Sequence, residues 1–162
     1  MKSRSVDIVT PQSIDDLASL RAIFQEYAAS LSIDLSFENF EHELAWLPGE
    51  YAPPRGALLM AIVDAQVAGC CALRPFDTAD ISNACEMKRL YVRPAYRGLG
   101  LGRLLAEASM DAARQYGYSH ILLDTLDEME AARSLYEELG FVEIPPYYHN
   151  PIARAHHLKA RL

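Results

Sequence analysis

Three glycines in five residues stand in the segment Arg97-Gly-Leu-Gly-Leu-Gly-Arg103. Glycine lets a backbone approach a ligand closely and turn its N–H groups toward it. The segment follows a strand pattern and opens an apolar stripe of helical spacing. The free N–H groups and dipole at such a helix start favour an anion, typically a phosphate. Three templates can be tested. A Walker loop needs Lys and then Ser or Thr after its last glycine, but Gly102 is followed by Arg103-Leu104. The dinucleotide fingerprint GxGxxG, begun at Gly98, needs a small residue at 103, which is Arg. The pattern Arg/Gln-x-x-Gly-x-Gly/Ala fits, with Arg97, Gly100 and Gly102.

The flanks of this turn are basic. From Glu86 to Arg103, five cations (Lys88, Arg89, Arg93, Arg97, Arg103) face Glu86 alone, a local charge of +4 in a chain of net charge −7. A positive island in an acidic protein implies a small polyphosphate ligand and excludes a general nucleic-acid binder, which carries a broad basic face. From Ser13 to Glu50 the balance reverses: Asp15, Asp16, Glu26, Asp34, Glu38, Glu41, Glu43 and Glu50 stand against Arg21. Such a field would attract a cationic ligand.

The 162 residues are 51% hydrophobic and 23% charged, a composition able to bury a core, and their number suits one domain, 1–162. The longest apolar run, residues 57–63, is far short of the ~20 needed to span a membrane, and no leader pattern follows Met1. A cytoplasmic protein without a membrane partner is expected. Cys70, Cys71 and Cys85 have neither disulfide nor metal spacing and read as buried free thiols. His42, His120, His156 and His157 likewise show no metal spacing, so no metal is expected.

The elements that must position the glycine turn follow from periodicity. Val6-Asp-Ile-Val9 predicts a strand, and Ser13 with Asp16 predicts a capped helix carrying Leu17, Leu20, Phe24, Tyr27 and Leu31 on one face. A short helix is expected around Phe37 to Trp46. Residues 57–64 and 66–73 predict a hairpin turning at Asp64-Ala65, and 86–92 a third strand of that group. After the turn, Leu101, Leu104, Leu105, Ala108 and Ala112 form a helix ending at Gly117, and residues 120–124 a strand. Met129, Ala132, Leu135, Tyr136 and Leu139 make a last helix face, capped by Gly140. Residues 141–144 and a terminal run through Leu158, Ala160 and Leu162 complete the strands. This order is mixed α/β.

Residues 86–103 resemble the acetyl-CoA motif of the GNAT superfamily of N-acetyltransferases, and Ala131-Ala-Arg-Ser-Leu-Tyr-Glu-Glu-Leu-Gly-Phe141 resembles its second motif, which packs along the coenzyme A tail. The likeness is close over residues 57–151. It implies a mostly antiparallel central sheet of six to seven strands flanked by about four helices. It also implies acetyl-CoA as co-substrate, without a metal, and direct acetyl transfer to a primary amine, small or peptide; the acidic stretch from Ser13 to Glu50, which the resemblance puts over the acceptor cleft, suits a cationic one.

Acetyl transfer needs a neutral amine, and an amine of pKa ~10 is mostly protonated at pH 7. By the resemblance Glu86 is the general base; its competing reading is a surface carboxylate paired with Lys88 or Arg89. Tyr136 is the general acid for the departing thiolate; by spacing alone it could equally be core. The strand at Leu90, Tyr91 and Val92 is expected to bulge and free main-chain groups beside the thioester. Arg97, Gly98, Leu99, Gly100, Leu101, Gly102 and Arg103 are expected to bind the cofactor. The loop with Tyr147, Tyr148, His149 and Asn150 borders the acceptor pocket, where Tyr147 and Tyr148 are the candidate contacts. Met129 stands where the family often has a cofactor-binding Asn. The same motifs admit a non-catalytic acyl-CoA sensor, or an acyltransferase with another acyl group or acceptor, and edge strands admit a homodimer.

Overall fold

Ser13 Oγ accepts the backbone N–H of Asp16 at 3.1 Å, and Asp16 Oδ2 accepts that of Gln12 at 2.7 Å. This reciprocal cap starts α1 (Ile14–Ser30) where the sequence predicts it. In the computed structural model, which describes residues 5–31, 34–35, 39–78, 80–126, 130–148, 152 and 155–162, four helices accompany seven strands. Before and after α1 come β1 (Val6–Val9) and the short α2 (Phe40–Trp46). Then follow β2 (Ala57–Val63), β3 (Gln66–Pro75), β4 (Ala84–Val92), α3 (Leu101–Gln115), β5 (His120–Leu126), α4 (Glu130–Glu138), β6 (Val142–Ile144) and β7 (Ala155–Arg161). The expected opening of the second helix at Phe37 falls outside the described residues.

The strands form one sheet in the order β1-β2-β3-β4-β5-β7-β6. Every neighbouring pair is antiparallel except β4 with β5. Asp64 and Ala65 both take positive φ, 48° and 67°, the geometry of a tight two-residue hairpin. β3 runs on to Pro75, two residues past the expected end at Leu73, and this extension carries Arg74 into the sheet. β4 likewise starts at Ala84, ahead of Glu86.

Both faces of the sheet are covered, which is why β2 is apolar throughout. Leu59, Ala61, Cys71 and Leu73 pack under Leu101, Leu105 and Met110 of α3. Leu58, Met60, Cys70 and Ala72 alternate to the other side, against Leu20, Ile23 and Phe24 of α1 and Phe40 and Leu44 of α2. The three cysteines are buried and unpaired. Burial pushes the Cys71 and Cys85 thiols up to about 12, so they stay protonated. Among the described residues no helix is long and apolar enough to cross a membrane.

Two irregularities sit on β4. It meets β5 only at Ala84↔His120, Cys85↔Ile121 and Glu86↔Leu122, after which the strands part. On its other edge Cys70 faces Tyr91 while Ala72 faces Lys88, so Arg89 and Leu90 together oppose Cys71. That is a β-bulge, one residue ahead of where the sequence placed it. Arg89 takes a left-handed φ of 61°, and its carbonyl accepts the Cys70 thiol at 3.2 Å.

Candidate active site

The parting of β4 from β5 opens a wedge of about 340 Å³. Met87–Val92 and Leu123–Leu126 form its sides; Tyr27 of α1, Gly102 of α3 and Ala132, Leu135 and Tyr136 of α4 close round it, with Arg97 at the rim. A non-glycine left-handed residue costs roughly 1–2 kcal/mol. The Arg89 side chain supplies the compensation. It is buried, its Nε and Nη2 donate to Glu43 Oε2 and Oε1 at 2.9 and 2.8 Å, and its guanidinium lies 5.1 Å from the Phe40 ring centre. A two-pronged charged pair of this kind is among the stronger hydrogen-bonded contacts. α2 therefore clamps the bulge.

At the glycine turn, Gly98 and Gly100 have φ of 87° and 76°, and a Cβ on either would meet nothing within 4 Å. Backbone conformation, and not crowding, is what demands glycine there. Gly100 is the N-cap of α3 and, among the described residues, no side-chain cap bonds that end, a geometry in which the first N–H groups can bind an anion. The basic stretch around the turn is largely committed to carboxylates. Arg89 pairs with Glu43, Arg93 with Glu26 at 3.1 Å, Arg103 with Glu138, and Lys88 Nζ stands 3.8 Å from Glu86. Arg97 differs: its Nε donates to the Val92 carbonyl at 3.1 Å, and among the described residues it has no carboxylate partner. Leu101 points into the core, Leu99 is half exposed, and neither lines the wedge.

Tyr136 lines the wedge and packs on Phe141, ring centres 5.6 Å apart. Burial pushes its phenol well up, so it holds its proton. Tyr136 is thus a core residue, 6% exposed, that also lines the wedge. Glu86 is 1% exposed, so it is not a surface carboxylate, while the alternative pairing with Lys88 is present at 3.8 Å. Its Oε1 accepts Arg74 Nε at 2.9 Å and its Oε2 accepts the Tyr147 hydroxyl at 2.6 Å, while Arg89 is turned away to Glu43. Burial first, and then the Glu86 charge, push the Tyr147 phenol far up, which keeps it a donor.

A second cavity of about 340 Å³ lies beneath α2, walled by Trp46, Tyr51, Phe76 and Tyr148 and lined by Glu43, Glu50, Arg74, Glu86 and Lys88. Tyr148 donates to Asp124 Oδ2, a wedge residue, so the tyrosine loop straps both cavities. Behind it His157 is buried, edge-on to Tyr147 and Tyr148 at 5.0 and 5.3 Å. His149, Asn150, Met129 and Glu38 lie outside the described residues.

Sequence reasoning missed Arg74, Asp124 and the conformation of Arg89. Asp124 had a visible signal, a carboxylate directly after the apolar run Ile121-Leu-Leu123. Arg74 lay just past the expected strand end, and Arg89 has no local signal for positive φ.

The sequence matches the Acetyltransferase (GNAT) family over residues 19–141. An uncharacterized N-acetyltransferase of Schizosaccharomyces pombe is 39% identical over 163 residues, covering 100% of this chain and 98% of that protein. The N-acetylaspartate synthetase of Rattus norvegicus is 33% identical over 89 residues, 55% of this chain and 29% of its own length. Among solved structures, a GNAT-family acetyltransferase of Staphylococcus aureus has a similar fold, with a TM-score of 0.75 at 20% identity over 97% of this chain and 99% of that one. The PaiA N-acetyltransferase of Thermoplasma acidophilum, solved with coenzyme A, reaches 0.71 at 18% identity over 98% and 99%. On this family match and these N-acetyltransferase relatives, the chain belongs to the acetyltransferase (GNAT) family and is an acyltransferase.

Proposed function

We propose that the protein moves an acetyl group from acetyl-CoA to a primary amine by direct attack, with both substrates held together. What carries this reading is that the wedge and the second cavity meet on one short stretch of β4, so a donor in one and an acceptor in the other would come within reach. The wedge also fits the donor. Its rim has an arginine without a carboxylate partner among the described residues, its floor a bulge, and its entrance a helix start without a side-chain cap. Arg97 and the N–H groups of residues 98–102 would hold the pyrophosphate. Bound there, acetyl-CoA supplies an activated acyl thioester.

The chain's own groups then have distinct tasks. The bulge at Arg89-Leu90 turns main-chain N–H toward the acyl oxygen, where negative charge develops. Tyr136 gives its proton to the departing sulfur; burial makes the phenol a weaker acid, and the same dry surroundings make the thiolate a stronger base. Glu86, at the acceptor end of the strand, takes the amine proton directly or through water.

One partial relative, whose name describes the making of an acetylated amino acid, supports including amino acids among the acceptors. The deciding experiment is thiol release from acetyl-CoA across amino acids, polyamines, aminoglycosides and peptides. Release with an amine class supports transfer. Tight acetyl-CoA binding with no release on any amine would overturn it in favour of a sensor.

A further inference from the structure

Lys88 is where the two cavities meet: among the described residues it alone lines both. It stands two residues after Glu86 on β4, and its side chain is 9% exposed. An acceptor amine reaching the wedge must pass this ammonium, which is itself paired with Glu86, so a bare cation would have to compete with it for that carboxylate. The carboxylates that line the acceptor cavity, Glu43, Glu50 and Glu86, are also each held by an arginine. Glu50 and Glu86 share Arg74, at 2.7 and 2.9 Å, and Glu43 is held by Arg89. The acidic field of the N-terminal third is thereby much reduced at the point where the acceptor would sit.

A ligand that suits Lys88 and Glu86 together carries both signs close to each other. Lys88 Nζ and Glu86 Oε1 are 3.8 Å apart, a spacing comparable to that between the amine and the carboxylate of one α-amino acid. We infer that the acceptor bears a carboxylate beside its reacting amine, the amino-acid class, and that Lys88 selects it by pairing with that carboxylate. The amine then lies on the Glu86 side, against the base, and the side chain occupies the aromatic space of Trp46, Tyr51 and Phe76. This inference rests on the acetyl-transfer reading above.

The test compares matched acceptors: an L-amino acid, its amide, and the amine left by its decarboxylation. Wild-type kcat/KM should favour the amino acid over its amide by about ten-fold, as for loss of one charged hydrogen bond. Lys88→Gln should shrink that ratio to within about two-fold by raising the amino acid's KM, and Lys88→Arg should keep part of it. Acetyl-CoA affinity, measured by titration, checks that each variant is folded. Preference for the amide or the amine overturns the inference alone. So does an equal fall in kcat for all three acceptors, which would assign Lys88 to the acyl oxygen. No thiol release with any acceptor overturns the transfer reading and the inference with it.

Discussion

The wedge and the acceptor cavity enclose the same volume, about 340 Å³, but they are built from different material. The wedge is a product of main chain: a short parallel seam, a bulge, a glycine turn and an uncapped helix start. The acceptor cavity is a product of side chains, with carboxylates and cations brought in from α2, the segment after it, β3 and β4. Backbone-built sites follow from a few neighbouring residues and tolerate changes in surface charge. Sites built from paired charges depend on every partner and respond to pH. Among the described residues, Lys88 itself, the Glu43–Arg89 pair and the Tyr148–Asp124 hydrogen bond join the two regions.

The sharpest way to break the distinction is through the tie that holds the bulge. Glu43→Ala leaves the buried Arg89 guanidinium without its two-pronged partner, and such a loss costs about 3–5 kcal/mol. We expect a fall of that size in denaturant unfolding, together with weaker acetyl-CoA binding, although Glu43 lies on the acceptor side. An unchanged unfolding midpoint would mean the bulge stands without α2. Next in size, Tyr136→Phe should lower kcat by about 10²-fold, within the range of a lost general acid, with KM for acetyl-CoA nearly unchanged. A variant turning over at full rate would confine Tyr136 to the core.

A smaller effect tests the main-chain side directly. Gly100→Val forces a β-branched residue to a φ of 76°, at roughly 1–2 kcal/mol, so acetyl-CoA affinity should drop by about ten-fold with acceptor KM unaltered. The smallest effect belongs to the charged side. Burial lowers the proton affinity of His157, against the opposing pull of Asp124 and Glu86. The unfolded chain therefore binds the proton more readily, and stability conferred above pH ~6.5 is lost as pH falls below it, by at most about 1.4 kcal/mol per pH unit. His157→Gln should flatten that slope between pH 7 and 5 in thermal unfolding; an identical slope would place the pH sensitivity elsewhere.

The same division explains what could be read from the sequence. The Ser13 cap, the hairpin turn at Asp64-Ala65, the glycine turn and the Tyr136 stripe depend on residues a few positions apart, and each appears where local chemistry puts it. Arg89 reads as an ordinary strand residue because its conformation is fixed by Glu43, 46 positions away. The +4 and acidic stretches read as two separate fields, yet in space they face each other: Arg89 meets Glu43 and Arg93 meets Glu26. Charge counted along a chain carries no record of which groups will cancel.

The seam between β4 and β5 has a mechanical consequence. Three residue pairs join β1–β4 to the other three strands, so the sheet behaves as two panels on a short hinge. Beyond Glu86, the amides of β4 directed into the gap form an edge in the middle of a sheet. Deuterium should enter there before it reaches the amides of the same strand bonded to β3. A guest that fills the gap would act as a clasp on both panels, stiffening strands it never touches.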